Sequence, residues 1–451
     1  MAEILLSVVI SFGGFDSGTY IQPVYPPTTS ATIGWNTETA DSSILAYGTT
    51  TALGDTIILP GVANHHHVTM DGLDPGTLYY YRVLPEGVMK TFETFPESVD
   101  RADSYAFVAF GDTRSNHSTH EWVIEGICNQ EREFYLHSGD LVNDGDNTGD
   151  WYNFFQCEDT LAQSTPLVPS IGNHEYPFWP YDSLFSLPGS EEYYSFDYLN
   201  SHCVVLNSCS DLYGTQRSWL ENDLSQVSSN PQTDWILVCF HHPPYSSGSH
   251  GSSISVREAW CPLFEQYDVD VVWNGHDHSY ERTIPIKGVV YVVTGGGGAP
   301  LYGVGSSSWT AYSRSVNHFC WISIQDRVLT MHAVEPDGSI FDSMVIDKTT
   351  AVWETTTPTG VSEIYLNPSP IPATGRVVFD VGLPDRDATA DLFIFDASGR
   401  LCSEQQCQPG FEKMIWDGKG SSGSQVPAGV YFAVIRQENL KACCTVVLME
   451  E

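Results

Sequence analysis

Basic side chains are scarce in this sequence. Against 56 Asp and Glu it carries only 19 Lys and Arg over 451 residues, for a net charge of −37. Such a surface repels polyanions, which excludes duplex nucleic acid and anionic membranes as partners held by non-specific attraction. No apolar run reaches the roughly 18 residues that a membrane-spanning helix needs. None of the eleven cysteines forms a CxxC pair, so a zinc ribbon is excluded. Their odd number leaves at least one thiol without an internal partner, and the pairing of any others is unreadable from sequence. What the chain does have is apolar material, 41% hydrophobic and 12% aromatic residues. That suffices for packed interiors, and at roughly 100–200 residues per domain the length predicts about three of them.

Residues 1–98 read as all-β: SATIGWNT, SILAYGTT, TLYYYRVL and VMKTFETF are β-branched and aromatic runs between turn clusters. The stretch GLDPGTLYYYRV (72–83) resembles a fibronectin type III domain at its tyrosine corner. The run His65–His67 lies between strands there and reads as a surface feature, not a metal site. The opening MAEILLSVVISFGGF is short, apolar and without a basic leader; a trimmed export signal and a first strand are both compatible with it.

Residues 103–348 change character. Near-continuous apolar runs (YAFVAF, WILVCF, VDVVW, VVYVV) alternate with helix-like stretches such as STHEWVIEGICNQ and SVREAWCPLFEQY. That alternation predicts βαβ units around a buried sheet. Residues 349–362 contain TTAVWETTTPTG and read as a linker, and short strands return over 363–451. There NPSPIP, FDASGR, WDGKG and PAGVYF together resemble the Ig-like module related to the flagellar hook-capping protein. The resemblance implies export, with attachment to the cell surface or to an export machinery through this module.

Five apolar runs of the middle region end in polar clusters of metal-ligand type: GDTR (111–114), GDLVN (139–143), GNHE (172–175), HHPPY (241–245) and NGHDH (274–278). Functional groups in α/β sheets gather beyond the carboxyl ends of strands, so these clusters are expected to converge. A carboxylate can bridge two cations, while imidazoles and an amide oxygen complete the shells without excess charge. Bound cations would also reverse the local field and admit an anion despite the acidic surface.

The ordered set GD, GD, GNHE, H-x-P-x-Y and GHDHSYER resembles the calcineurin-like metallophosphoesterase superfamily. NGHDHSYER (274–282), with FEQYDVDVV before it, is similar to the purple acid phosphatase branch. The resemblance implies a four-layer α/β/β/α sandwich flanked by two all-β Ig-like sandwiches. It also implies a phosphate-ester hydrolase with two metal ions (iron, zinc or manganese, divalent or mixed-valence) and a small-molecule phosphate ester as substrate. By position, Asp112 binds the first metal and Asp140 bridges. Asn173, His241 and His276 bind the second metal, and His278 returns to the first. His242 falls outside the H-x-P-x-Y register and is expected beside the ligands. His174 and His250 face the phosphate, His174 as proton donor to the leaving oxygen.

Two positions depart from the family pattern. The branch has a tyrosine three residues after the bridging Asp, where this chain has Asn143; the wider superfamily has a His where this chain has Arg114. The first metal thus lacks a ligand by either pattern, and an oxygen of Asn143, a water, His117 or His120 are the candidates to replace it. Arg114 is expected to grip phosphate, the alternative being an ion pair with one of the chain's many acids. Direct attack by a metal-activated water is implied, since no Ser or Cys is set up as a nucleophile. Mono- and diesterase are not separable by sequence. The loops 145–155 and 176–189 are expected to form the rim, their aromatics serving either substrate stacking or packing. The rival reading is a surface-binding protein with a decayed catalytic domain.

Overall fold

The computed structural model describes residues 14–97 and 104–349, and beyond them 365–369, 376–382, 389–396, 400–407, 413–420, 423–437 and 440–448. The apolar opening segment up to residue 13 and most of the Thr-rich linker lie outside the described residues. By internal contacts the chain divides into two units, Met1–Thr355 and Thr356–Glu451.

The first unit begins with two antiparallel sheets. One joins Tyr20–Gln22, Ser30–Asp41 and Ala63–Asp71, and the other Asp55–Ile58, Ile44–Gly48, Leu78–Val83 and Lys90–Glu93. Alternation puts Ile33, Trp35, Val68, Leu45, Tyr81 and Phe92 into the core between them. The histidine run lies within strand Ala63–Asp71 and not between strands. His66 is buried and stacks on Trp35 at 4.6 Å. His67 Nε2 lies 3.1 Å from the Ser183 carbonyl. These histidines are packing residues, two of them on faces a sequence pattern could not assign.

The middle region is built on two sheets, where the strand alternation suggested a single one. The six-stranded sheet runs Leu167–Pro169, Tyr135–His137, Ser104–Phe110, Phe319–Gln325, Val328–Val334, Ile340–Asp347. Its first three strands are parallel. The seven-stranded sheet runs Tyr194–Tyr198, Ser201–Val205, Trp235–Cys239, Val271–Asn274, Val290–Thr294, Tyr280–Thr283, Thr310–Arg314. Period-two alternation explains how one strand serves two cores. Trp235, Leu237 and Cys239 enter the core shared with the six-stranded sheet. Ile236 and Val238 enter a second core with Leu220, Leu224, Trp260 and Phe264 of helices α4 (Thr215–Val227) and α5 (Ile254–Gln266). Helices α1 (His117–Cys128) and α2 (Thr148–Ala162) contribute Val123, Ile127, Trp151 and Phe154 to the shared core.

Most of the expected loop 145–155 is therefore helix. Asn147 caps α2 by accepting from Gly149 N, and its buried positions (Trp151, Phe154, Phe155, Glu158, Leu161, Ala162) follow helical spacing. Packing claims most aromatics of both expected rim segments: Trp151, Phe154, Phe155, Tyr181 of helix α3 (Trp179–Leu184) and Phe185 after it are buried, while Tyr152 and Tyr176 are exposed. The N-terminal sheets hold these elements from behind. Tyr20 stacks on Phe155 at 4.5 Å and donates to the Leu184 carbonyl, and Gln22 accepts from Ser186 N.

In the second unit, Tyr365–Ser369, Val377–Gly382 and Lys413–Trp416 form one antiparallel sheet. Leu401–Cys407, Ala390–Asp396, Gly429–Gln437 and Leu440–Leu448 form the other, and Trp416, Phe379, Leu392 and Ile435 fill the core. Cys128, Cys157, Cys203, Cys209, Cys239, Cys261 and Cys320 are free thiols. Burial pushes the Cys239 and Cys320 thiols up to about 12, so they behave as small apolar residues.

One buried ion pair ties the two large sheets together. Arg282 donates from Nε and Nη2 to the two oxygens of Asp342 at 2.7 and 2.8 Å, and Tyr280 Oη donates to the same carboxylate at 2.7 Å. Removing one partner strands a desolvated charge. Asp342→Ala is expected to destabilise the first unit by about 3–5 kcal/mol, read from the shift of its chemical denaturation midpoint; a shift under about 1 kcal/mol contradicts the account.

Candidate metal centre

The five clusters leave five strand ends that belong to two sheets. GDTR, GDLVN and GNHE follow the parallel strands of the six-stranded sheet, whereas HHPPY and NGHDH follow Trp235–Cys239 and Val271–Asn274 of the seven-stranded one. The centre sits where the two sheets' strand ends meet. Backbone bonds join neighbouring loops: Asp112 N donates to Gly139 O (3.0 Å), Thr113 N to Asp140 O (3.1 Å) and Gly275 N to His241 O (3.0 Å).

Three expected ligands adopt left-handed backbone: Asp112 at φ 58°, Asp140 at φ 56° and His276 at φ 71°. Non-glycine residues held there cost of order 1–3 kcal/mol each and persist only where the surroundings impose them. Two signature glycines leave room for the carboxylates. A Cβ at Gly172 would strike the Asp140 carboxylate, and one at Gly275 would strike that of Asp112.

Ligand atoms of Asp112, Asp140 and His241 all lie within 4.8 Å of one another, and all three residues are buried. His241 Nε2 is 3.3 Å from Asp140 Oδ1 and 3.1 Å from Asn173 Oδ1. Its Nδ1 faces the Ser138 carbonyl at 2.9 Å, which must accept, so Nε2 presents a lone pair. His278 is arranged alike, with Nδ1 at 2.7 Å from the Pro300 carbonyl and Nε2 at 3.5 Å from Asp112 Oδ1. His276 N donates to both Asp112 oxygens, and the His276 ring lies 5.1 Å from that of His241. His242 also falls within this reach, since ligand atoms of His241, His242 and His276 lie within 4.8 Å. Its Nδ1 is engaged by Ser208 Oγ at 3.0 Å.

His174 Nδ1 donates to the Asn143 carbonyl at 2.6 Å, with Nε2 3.9 Å from Asp140 Oδ2. The exposed His250 packs its ring 4.3 Å from His276. Arg114 points inward and not to solvent: Nε is 3.3 Å from Asp140 Oδ2 and Nη2 3.5 Å from His278 Nε2. Asn143 Oδ1 accepts from Arg114 Nη1 (3.2 Å) and Ser115 Oγ (3.1 Å). Of the other candidates to complete the first site, His120 is committed to Glu158 at 2.8 Å inside the protein. His117 lines a cavity of about 290 Å³ that Arg114 and Asn143 also border.

A supporting layer escaped the sequence reading. Glu175 accepts from Gly172 N, Asp140 N and Val142 N (2.6–3.2 Å), locking two ligand loops together. Asp277 holds Ser246 Oγ and the backbone and ring nitrogens of His250. Glu281 holds the same loop through Ser247. All three lie inside the quoted motifs, but only tertiary contacts reveal their partners.

The electrostatics fit a cation. Burial raises the Asp112 carboxyl far above its usual range, and the neighbouring Asp140 adds to this. Burial and Asp140 likewise push Glu175 up to about 8, against its three backbone donors. Burial keeps the imidazoles of His241 and His276 neutral, and it lowers His278 to about 4. Crowded carboxylates beside neutral imidazoles with aimed lone pairs form the donor set of a divalent ion.

Residues 105–280 match the family described as calcineurin-like phosphoesterase, and residues 17–96 match the purple acid phosphatase N-terminal domain. The central domain is a calcineurin-like phosphoesterase domain. The chain is 31% identical to purple acid phosphatase 21 of Arabidopsis thaliana over 52% of its own length and 58% of that protein. It is 30% identical to a phosphoenolpyruvate phosphatase of Allium cepa, over 52% and 54%. The chain thus spans about half the length of these curated relatives. A purple acid phosphatase from yellow lupin seeds shares the fold at a TM-score of 0.66 and 19% identity, over 76% of this chain and 78% of that one. Asp112, Asp140 and His241, within the matched segment, are candidate ligands for a metal ion.

Gly275→Ala tests the packing of this centre without touching a ligand. The added methyl displaces the Asp112 carboxylate, and divalent-metal affinity by isothermal titration is expected to fall about ten- to hundredfold. Unchanged affinity contradicts the assigned geometry.

Proposed function

We propose that this chain hydrolyses small-molecule phosphate esters at a metal centre held by Asp112, Asp140, Asn173, His241, His276 and His278. The observation that carries the reading is the buried grouping of Asp112, Asp140 and His241 at the junction of the two sheets. Divalent cations, when bound, supply Lewis-acid charge and an activated water. The chain's own groups do the rest. His174, held at Nδ1 by the Asn143 carbonyl with Nε2 3.9 Å from Asp140 Oδ2, serves as general acid in its doubly protonated form, the Nε2 proton passing to the leaving oxygen and the ring staying neutral with its proton on Nδ1. His250, held by Asp277, stands on the same side beside His276 and orients a phosphoryl oxygen. Arg114 supplies fixed positive charge at the floor of the site.

Around this centre the two sheets with α1 and α2 on one side and α4 and α5 on the other support a four-layer α/β/β/α arrangement. Antiparallel sheets of three and four strands at each end support Ig-like sandwiches over 1–98 and 363–451, with the segment 349–362 between domains. In the same reading the chain is exported, and its C-terminal module serves attachment. Among the described residues no helix is long and apolar enough to cross a membrane.

Asp140→Asn preserves shape and removes one ligand charge. Aryl phosphate hydrolysis is expected to fall at least about hundredfold, the upper end of what even supporting residues are worth, with the far-UV circular dichroism unchanged. In oxygen-18 water the released phosphate should take up one labelled oxygen, with no phosphorylated residue trapped. Retained activity, or a trapped phosphoenzyme, overturns the proposal.

A further inference from the structure

We infer that Arg114 is a built-in cation occupying the first metal position, so that the centre takes up one divalent ion and not two. The inference rests on the reading of the site as a phosphoesterase centre. By family position the first metal would be held by Asp112, Asp140, His278 and the residue at 143. The guanidinium of Arg114 approaches three of these four, hydrogen-bonding Asn143 and His278 and meeting Asp140 by charge alone, since its buried Nε makes no hydrogen bond. Nε lies 3.3 Å from Asp140 Oδ2, Nη1 3.2 Å from Asn143 Oδ1 and Nη2 3.5 Å from His278 Nε2.

The directions of the bonds suit a donor at this place. The Pro300 carbonyl fixes the His278 proton on Nδ1, so Nε2 offers a lone pair that a guanidinium can cap. Asn143 Oδ1 also accepts from Ser115, and so is already engaged twice. Both departures from the family pattern therefore fall on one position and touch each other. An amide oxygen stands where the phenol would be, and the group it accepts from stands where an imidazole would be.

Asp140 is divided accordingly. Its Oδ2 faces Arg114, while its Oδ1 faces His241 Nε2 at 3.3 Å, beside Asn173 Oδ1. The second set thus keeps its carboxylate oxygen, amide and imidazoles for a metal. Arg114 is pinned at its base, since its backbone N–H donates to Asp140 O at 3.3 Å, and its side chain is only 14% exposed. A guanidinium cannot yield its proton at any accessible pH. A second dication would have to sit within hydrogen-bonding range of that fixed charge, in a pocket that one dication and Arg114 already make net positive. An incoming phosphoryl group would then meet one ion and a planar fork of donors instead of two ions.

The test is metal stoichiometry. The full chain, stripped with chelator, loaded with Mn²⁺ and desalted, is expected to retain one manganese per chain by elemental analysis. Its electron paramagnetic resonance spectrum should be that of an isolated ion. Arg114→His is expected to retain two per chain and to show exchange coupling between them; Arg114→Ala provides the same stoichiometric reading if the histidine variant does not fold. Two coupled ions in the natural chain, or a single ion in both variants, would overturn the inference and leave the hydrolase reading standing. No retained manganese in the natural chain would sink both.

Discussion

Two carboxylates, Asp112 and Asp140, are buried almost completely and close together. Like charges in a dry site destabilise each other unless a cation stands between them. Much of the local architecture follows from keeping that arrangement ready. The ligand residues take left-handed backbone, the glycines beside them leave no room for a side chain, and Glu175 clamps two loops from below. Folding supplies the energy that holds this strain. The aromatic core between the two sheets, the Arg282–Asp342 pair and the N-terminal sheets packed behind α2 form a rigid frame around the mouth of the site.

The motif NGHDHSYER shows how densely one segment is used. His276 and His278 face the centre, while Asp277 and Glu281 turn away and hold the loop that carries His250. Tyr280 and Arg282 reach the opposite sheet. Alternation along the strand Tyr280–Thr283 sends Tyr280 and Arg282 to one face and Glu281 to the other, while the tightly turned backbone before it, left-handed at His276, sets the directions of His276, Asp277 and His278.

The convergence of the ligands was legible in sequence because each one follows an apolar run, and strand ends are where polar groups can leave a sheet. The division into two sheets was implied only by the family resemblance, since the runs themselves look alike whichever sheet they join and only the order of pairing separates them. The start of helix α2 was hidden within an expected loop, and Gly149 and aromatic residues are indeed weak helix formers. Burial of Trp151, Phe154 and Phe155 on one face overrides that preference. The inward turn of Arg114 was equally hidden. Its partners Asp140 and His278 lie 26 and 164 residues away, so the sequence left open a phosphate-binding arginine and an ion pair with some acid, without showing that the acid would be Asp140.

The central claim is that these distant residues enclose a metal position at the junction of the sheets. A crystal structure of the manganese-loaded chain with anomalous diffraction measures it directly. The account predicts an anomalous peak within coordination distance of Asp140 Oδ1, Asn173 Oδ1, His241 Nε2 and the His276 imidazole. An anomalous map with no peak there, or with its strongest peak elsewhere in the molecule, would contradict it.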